Sequence, residues 1–409
     1  MFTHKDLETM LGLSAPWKLQ STEIDHAKRT LTLRVCCEAT HWGDPESGRR
    51  LHIHSHEERR WRHLDFWQYE SVIIASVPRV IDPETGKTQM VAVPWAGAGS
   101  RWTLAFEALA LAVIEVSRSI EDARRLLRLS WDSARNIMQR AVERGLARRA
   151  EEDITDLGID EKSFGKGQDF ISVLTDIGGK RVLEVVQGAD KPSALALLET
   201  LSWEQSLGVE AVAMDRSPTY IAAVSEALPG AAIVHDAYHL SADLNKAVDQ
   251  VRRQEHRILL SFGDTTLTGT KYHWLRNPLN MAPEKLAAFS LLASLALKTS
   301  RAWGIKELFG GFWEQPDAVA GERYFAKWYA RTIRSRLEPM KKLARSFRRS
   351  LPFMLTWFAH RISNAMAEGF NSVIQIIKAA ARGFRNFANY RISILFRCGK
   401  LNLGVGAIT

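Results

Sequence analysis

Three acidic residues stand in local contexts that suit metal-dependent chemistry. We expect Asp160 to end an apolar, strand-like run over 154–160, and Asp215 to end a second run over 209–215. Glu368 lies in a helix-like segment over 363–375. A carboxylate at the end of a buried strand is costly unless a cation compensates its charge. Three such groups that converge on hard divalent ions would form a two-metal centre for phosphoryl transfer.

The first of the three positions has an alternative. Asp160 is followed by Glu161, so either acid could supply the first ligand, and strand alternation puts the two side chains on opposite faces. The expected strand-end position favours Asp160. Asp215 precedes Ser217 and Pro218, which suit the start of a helix. This places Asp215 at the carboxyl end of a strand, where ligands gather in open α/β sheets.

Positive charge is concentrated in two blocks of the chain. The 409 residues carry a net charge of +9, yet 331–400 alone contain 15 Lys and Arg against two acids. Residues 118–149 contain nine Arg against four acids. Solvated helix faces would explain one such run. Two runs on either side of the acidic residues favour a polyanion, because neutralised phosphates release counterions. The expected substrate is therefore nucleic acid.

The cysteine content predicts a compartment, and the length of the apolar runs argues against a membrane-spanning role. The three cysteines, Cys36, Cys37 and Cys398, have no framework spacing, which is typical of a reducing compartment. The first residues lack a signal-peptide core, and the apolar runs at 104–116 and 286–298 are shorter than the ~20 residues that span a bilayer. We expect a cytoplasmic, nucleoid-associated bacterial protein that has no membrane partner.

The first 150 residues divide into two predicted modules. Alternating runs at 31–35 and 71–77, each followed by a turn-type segment, 44–48 and 82–86, predict a small β-rich module over 1–97. Residues 98–150 turn helical, with Ser119 and Ser130 as predicted N-caps. Helix, tight turn and basic helix are the layout of a helix-turn-helix DNA reader. Arg135 and Arg140 are its candidate contacts. An ordinary helical hairpin is the alternative.

From residue 154 the pattern changes to α/β. We predict strands at 154–160, 170–175, 181–186, 209–214 and 231–234, with helices at 192–203, 219–227 and 240–260. This order is a ribonuclease-H-like layout, and it predicts a catalytic core over 151–264. Residues 265–350 show a helical, Trp-rich pattern that predicts an α-helical insertion. Trp274, Trp303, Trp313 and Trp328 are expected in its core. The core then continues as a helical part over 351–409.

Supporting groups surround the three acids. On the predicted helix Glu368 shares a polar stripe with Asn371 and Gln375, and amides suit DNA contacts. Asp236 and His239 follow the last strand and should lie beside Asp215, although such a pair is more often a helix cap with a satisfied histidine. A final set of cations suits phosphates: Lys378, Arg382 and Arg385.

At this point the chain resembles a known family over nearly its whole length, the bacterial insertion-sequence DDE transposases of the IS-L-three family. The resemblance is carried by the ordered segments 61–67, 94–96 with 101–103, 159–161 with 165–167, 214–215, 235–239, 245–253, 364–375 and 383–386. It implies a ribonuclease-H-like domain with Asp160, Asp215 and Glu368 as metal ligands. It also implies Mg²⁺, with Mn²⁺ as a substitute, and recognition of terminal inverted repeats by the N-terminal and helix-turn-helix regions.

The sequence departs from this family in its first module. Such transposases usually open with a zinc site built on two C-P-x-C-G turns, whereas 44–48 and 82–86 read D-P-E-S-G and D-P-E-T-G. Other ligands nearby are Cys36, Cys37, His41, His52, His54 and His56. Their spacing fits no standard site, and structural zinc needs four N or S ligands. We expect these turns to keep the fold without zinc.

The expected function is that of a DNA transposase. It would cut double-stranded DNA at the ends of an element and join the freed 3′-hydroxyl to target DNA. Joining both ends together predicts a homodimer or a larger synaptic assembly. The alternatives are a transposase-derived DNA-binding protein without catalysis, and a related metal-dependent nuclease.

Overall fold

The structure is a computed structural model that describes residues 3–43, 48–81, 86–165, 169–363 and 365–405. The side chains of Leu279, Ala365 and Met366 are not described either. Most of the two D-P-E turns, the 166–167 part of one family motif, and Asn364 therefore lie outside the described residues, so the expectations for these positions stay predictions. The chain forms two compact units, 1–149 with 380–382 and 401–409, and 150–379 with 383–400.

The first unit opens with a β-sheet. After a short helix α1, six described strands form a sheet in the order β1-β2-β5-β4-β3, with β6 also paired to β5. Ile73, Ala75, Val77 and Val80 of β5 are buried in one core with three tryptophans, and within it the rings of Trp17 and Trp61 pack edge to face against Trp95. The elements are α1 His4–Met10, β1 Trp17–Asp25, β2 Thr30–Cys37, β3 His41–Gly43, β4 Arg50–Arg62, β5 Glu70–Ile81 and β6 Thr88–Met90.

Three helices complete this unit: α2 Leu104–Val116, α3 Ile120–Leu127 and α4 Trp131–Ala147. Ser119 and Ser130 cap α3 and α4 as predicted, because each hydroxyl accepts the N–H of the residue three positions on. Arg128 turns the chain in the left-handed region, so α3 ends one residue before it. The buried Glu107 of α2 pairs with Arg144 of α4 at 3.0 Å, which locks the two helices together.

The second unit contains a five-stranded sheet in the order β11-β10-β7-β8-β9. β7, β8 and β9 form an antiparallel meander, and β10 and β11 are added in parallel to β7. The chain is therefore a mixed α/β protein. The elements are β7 Asp156–Ser163, β8 Phe170–Asp176, β9 Arg181–Gln187, α5 Lys191–Leu198, α6 Trp203–Gly208, β10 Ala211–Met214, α7 Pro218–Ala227 and β11 Ala232–His235.

Two sequence expectations for this sheet are wrong. Asp160 does not end its strand, because β7 runs on to Ser163 through pairing with β8. What ends near Asp160 is the parallel pairing with β10, whose last pair is Ile159 with Met214. The helix predicted over 192–203 is two helices, since α5 ends at Leu198 and Ser202 caps a new helix at α6.

The rest of the second unit is helical. Its helices are α8 Ala237–Ser261, α9 Lys271–Leu275, α10 Pro283–Ser294, α11 Lys298–Gly310, α12 Ala318–Ile333, α13 Glu338–Leu355, α14 Trp357–His360, α15 Ala365–Ala380 and α16 Phe387–Cys398. An aromatic core joins α8 to α14, and the four tryptophans that were expected there are confirmed as buried or packed against it. In this core Glu255 of α8 accepts the N–H groups of Lys298 and Thr299 at 2.7 Å each, so it caps α11. No described helix is long and apolar enough to cross a membrane.

Candidate active site

Three acids meet at one edge of the second sheet. The parallel register aligns Ile159, Met214 and His235 on neighbouring strands β7, β10 and β11. The next residue of each strand is an acid: Asp160, Asp215 and Asp236. Because parallel strands point the same way, their following residues reach the same edge of the sheet. The sheet register therefore brings together residues that are 21 to 76 positions apart.

The helix α15 contributes to the same site. Asn371 of α15 is buried and donates its side-chain amide to Oδ2 of Asp160. The other oxygen of that carboxylate, Oδ1, accepts the backbone N–H of Glu161 at 2.8 Å. Glu368 lies one helical turn before Asn371 and adds a half-buried carboxylate. Asn371 thus orients Asp160, whereas the sequence analysis expected its amide to contact DNA.

Asp236 and His239 lie close to Glu368. One ligand atom from each of these three residues lies within 4.8 Å of the other two. Asp236 is buried and caps α8, accepting the N–H of Tyr238 at 3.2 Å, and His239 lies in the first turn of that helix. Asp236 therefore does act as a helix cap, which the sequence analysis gave as the commoner explanation for this pair of residues. This capping role does not remove these side chains from the acidic cluster.

The electrostatics show that the acids act on one another. Burial raises the pKa of Asp215, and the charge of Asp160 raises it further, while the N–H of Ser217 lowers it. Burial also raises the pKa of Glu368, and Asp236 is the next cause. Each group would lose its proton more easily if a cation entered the cluster, because like charges and desolvation both disfavour the ionised form.

Glu161 belongs to this electrostatic cluster as well. Burial raises the pKa of its carboxyl, followed by the charges of Asp215 and Asp160. Its side chain is nevertheless exposed, whereas Asp160 is 5% exposed and is held by Asn371. The geometry favours Asp160 over Glu161 as the candidate metal ligand. Glu161 still lies close enough to Asp215 and Asp160 for their charges to raise its pKa.

The donor set fits a hard divalent cation. Carboxylate oxygens predominate, and such oxygens are the ligands that Mg²⁺ and Mn²⁺ prefer. The Oε1 atom of Glu368 is buried and has no hydrogen-bond partner among the described residues. A buried acceptor without a donor is costly, and a cation would satisfy it. The donor set and the unpartnered Oε1 atom of Glu368 are therefore compatible with a hard divalent cation.

Sequence comparison identifies the family. Residues 157–394, more than half of the chain, match a transposase family model, and 91–142 match the helix-turn-helix domain of transposase family ISL3. The chain belongs to transposase family ISL3. This confirms the resemblance to the IS-L-three family and the helix-turn-helix interpretation, since the second match covers most of α2 to α4. A DNA-binding domain and an enzyme of the transposase type follow from this membership.

Two curated relatives extend the likeness along this transposase. The transposase for insertion sequence element IS1557 of Mycobacterium tuberculosis is 25% identical over 354 residues, which cover 80% of this chain and 79% of the relative. The transposase for insertion sequence element IS1001 of Bordetella parapertussis is 22% identical over 339 residues, covering 82% and 83%. The similarity therefore spans most of each protein.

The two candidate DNA-binding arginines of α4 are engaged within the fold. Arg135 donates to Gln139 at 2.9 Å and to Asn136 at 2.7 Å, both on its own helix. Arg140 reaches the carbonyl of Ala98 at 3.5 Å. Both side chains are half-buried, so a DNA contact by either would have to replace or share these bonds.

The candidate DNA-binding residues of the C-terminal part behave differently from one another. Lys378 donates to the carbonyl of Ser163 at 2.8 Å, so it ties α15 to the end of β7. Gln375 lies on the same helix and is exposed. Arg382 and Arg385 are also exposed. Three of the four side chains are therefore accessible to a ligand.

The sequence interpretation missed Arg216 in this transposase. Arg216 directly follows Asp215, and its guanidinium bonds to Asp243 of α8 and, at 2.8 Å, to Ser346 of α13. It also lies 5.0 Å from the ring centre of Phe347. Its place next to Asp215 was the available signal, but its partners are 27 and 130 positions away. Arg216 thus holds the strand end that carries Asp215 against two helices.

Proposed function

We propose that this chain binds the terminal inverted repeats of an insertion sequence and catalyses metal-dependent DNA cleavage and strand transfer. The observation that carries the proposal is the position of Asp160 between the other two acids: burial raises the pKa of both Asp215 and Glu368, and the charge of Asp160 raises each further. The ligand atoms that lie within 4.8 Å of one another belong to Asp236, His239 and Glu368, and Asp160 and Asp215 are not in that group. Membership of a transposase family makes duplex DNA the substrate that suits such a site.

The sheet topology supports a ribonuclease-H-like catalytic core. An antiparallel meander of three strands is followed by two strands added in parallel to its first strand. We propose that 151–264 and 351–409 form this core, that 265–350 form the insertion, and that 1–97 and 98–150 form the β-rich and DNA-reading modules. In this division α15 returns to the core after the insertion and supplies Glu368.

In the proposed mechanism Asp160, Asp215 and Glu368 would hold divalent cations, and Asp236 and His239 would support them. When bound, Mg²⁺ or Mn²⁺ polarises phosphodiester oxygens and lowers the pKa of water. The chain positions its ligands beforehand. Asn371 and the N–H of Glu161 hold one carboxylate, while the N–H of Ser217 holds Oδ1 of Asp215 at 2.9 Å. Such preorganisation avoids the cost of ordering the ligands during the reaction.

The reaction itself is two phosphoryl transfers. A water oxygen attacks the phosphorus at the element end, the bond to the 3′-oxygen breaks, and the element keeps a free 3′-hydroxyl. That hydroxyl then attacks a phosphorus of the target DNA, so a new phosphodiester bond forms while the bond to the target's own 3′-oxygen breaks and the target strand is left with a free 3′-hydroxyl. We propose that Arg135 and Arg140 read the element end and that Gln375, Lys378, Arg382 and Arg385 hold the strand and its phosphates. Both ends must be held together, so the working form is a homodimer or a larger assembly.

The test is a cleavage assay with a labelled duplex that carries the inverted repeat flanking the gene. With Mg²⁺ or Mn²⁺, the wild type should cut this duplex and join the cut end to a second DNA. Asp215→Asn should abolish the cut and keep end binding. Binding without any cut would favour a transposase-derived DNA-binding protein, and a cut without joining would favour a nuclease. Equal loss of cutting and binding in Asp215→Asn would contradict the assignment of this residue.

A further inference from the structure

The helix α13 presents a cationic face that lies within the basic block 331–400 and to which the proposed mechanism gives no role. One side of α13 is buried in the aromatic core through Met340, Ala344, Phe347 and Met354. Lys342, Arg345 and Arg349 are exposed, and their spacing of three and four residues puts them on one face. Counted at 100° per residue, this face is opposite the buried side. We call these three residues the basic face.

The charges of the basic face are offset only in part: the pKa of Glu338 is lowered first by its hydrogen bond to Lys341 and, as a smaller cause, by the charge of Arg345. Glu338 is the single acid of α13, and it pairs with Lys341. Arg348 lies over the ring of Tyr329 at 5.2 Å. None of the three basic-face residues has an ion-pair partner in the part of the chain that the structure describes. An exposed surface that serves only solubility usually mixes both signs of charge, and this one does not.

The basic face is held rigidly relative to the acidic site. Ser346 of α13 accepts a hydrogen bond from Arg216, the residue after Asp215. Near the end of the helix the Phe353 ring packs against His235 at 5.1 Å between ring centres, and His235 immediately precedes Asp236. Thr356 donates to the carbonyl of Ile233 at 2.6 Å. α13 is thus fixed to both strands that carry Asp215 and Asp236.

The chemistry of the face favours a phosphate backbone over a membrane. A helix that binds a membrane surface inserts an apolar face, but the apolar face of α13 is already buried in the core. Arginine binds phosphate oxygens in a bidentate fashion. Lys342 and Arg349 are seven residues apart, which corresponds to a rise of about 10 Å along the helix. Successive phosphates of one DNA strand lie about 3.4 Å apart along the duplex axis, so the face spans about three of them.

We propose that Lys342, Arg345 and Arg349 bind the phosphate backbone of duplex DNA within about one helical turn, ~35 Å, of the bond that the acidic site cleaves. The location relative to the cleaved bond rests on the proposed function. The binding itself does not. The helical insertion would then be a second DNA-binding element, fixed to the catalytic strands and separate from the helix-turn-helix.

The test measures how salt weakens DNA binding by the full chain in EDTA, so that cleavage does not interfere. The triple variant Lys342→Gln, Arg345→Gln, Arg349→Gln is compared with a matched control, Arg257→Gln, Lys271→Gln, Lys285→Gln. The control removes three exposed cations from α8, α9 and α10 of the same unit. Each phosphate contact contributes about 0.9 to the slope of log K against log salt. Loss of three contacts should lower the slope by about 2.7, so between about 50 and 200 mM KCl the wild type should lose about 40-fold more affinity than the variant.

A conservative variant guards against misfolding. Arg345→Lys with Arg349→Lys keeps the charges and should keep the wild-type slope, as should the matched control. An unchanged slope in the Gln variant overturns the proposal, and so does an equal change in the control. Binding to phosphatidylserine–phosphatidylcholine vesicles that depends on the basic face, without a slope change on DNA, would assign the face to a membrane instead.

Failure of the two proposals can be told apart. If the Gln variant has the lower slope on DNA but the wild type never cuts the element end with Mg²⁺, the catalytic function is refuted and the basic face is retained. A chain that cuts and joins normally while the Gln variant keeps the full slope would refute the basic face alone.

Discussion

Asp236→Asn tests the idea that the acidic cluster is destabilising until a cation binds. The substitution removes one negative charge beside Glu368 and keeps nearly the same shape. An asparagine oxygen can still accept the N–H of Tyr238, so the cap of α8 is preserved, since Asn and Asp are about equal as N-caps. The change therefore isolates the electrostatic contribution of Asp236.

The size of the effect follows from the geometry. Ligand atoms of Asp236 and Glu368 lie within 4.8 Å, and at an effective dielectric of about 20 two unit charges at that distance repel by about 3.5 kcal/mol. Glu368 is half-buried, so solvent screens part of this repulsion. The effect of His239, which lowers the pKa of Glu368, offsets more of it. We expect the metal-free variant to be more stable by about 1 kcal/mol, or about 2–4 °C in the unfolding temperature of a unit of this size.

The pH dependence has a definite sign. The pKa of Glu368 is raised above its ordinary value of 4.5 by burial and then by Asp236. A raised carboxyl pKa contributes stability that is fully present below that ordinary value and is lost as the pH rises through the raised pKa. In Asp236→Asn the pKa of Glu368 is raised less. The stability difference between variant and wild type should therefore be small below pH 4.5 and should grow as the pH rises.

The assay is thermal unfolding in EDTA and in Mg²⁺, with Asp190→Asn as the matched control. Asp190 is also an N-cap, accepting the N–H of Ser193, but it caps α5 and is exposed. An ion at ten times its dissociation constant stabilises the folded state by about 1.4 kcal/mol. The wild type should gain more from Mg²⁺ than Asp236→Asn does. If Asp236→Asn is no more stable than the wild type in EDTA, and gains as much from Mg²⁺, the reasoning about the cluster is refuted.

Three further predictions address the supports of the site and of the DNA reader. Asn371→Leu removes the donor to Asp160, so it should cost about 1–3 kcal/mol of stability and lower the cleavage rate with end binding unchanged; wild-type cleavage would contradict this role. Glu255→Ala leaves the N–H groups of Lys298 and Thr299, of which the second is buried, without their acceptor, and a loss of about 1–3 kcal/mol in chemical denaturation should follow, whereas a loss below 0.5 kcal/mol would count against it. Ser130→Ala removes the cap of α4 and should cost about 1 kcal/mol, measured by thermal unfolding against Ser130→Asp, which should restore the cap.

Much of the local structure could be predicted from the sequence. Thr103, Ser119 and Ser130 begin helices because a short hydroxyl side chain satisfies a free N–H within three residues. The apolar run at 104–116 coincides with α2, and the end of β10 at Met214 was predicted correctly. These signals depend on neighbouring residues, so no knowledge of the fold is needed to read them.

Other features depended on distant parts of the chain. The end of β7 could not be read locally, because pairing with β8 carries the strand three residues past Asp160. Likewise the polar stripe around Glu368 did not reveal that Asn371 turns inward to Asp160 while Gln375 stays exposed. A helical periodicity shows which residues share a face, but the direction of that face is decided by what packs against it.

The sequence by itself determined which residues could do the chemistry and the family to which the chain belongs. Only the tertiary structure decided how they meet: the register of β7, β10 and β11 aligns three acids, and α15 then adds Glu368 and Asn371. The same holds for Arg216, whose partners come from α8 and α13. Residue type is a local property, whereas proximity between residues 27 to 211 positions apart arises from strand pairing and core packing, which form only when the whole unit folds.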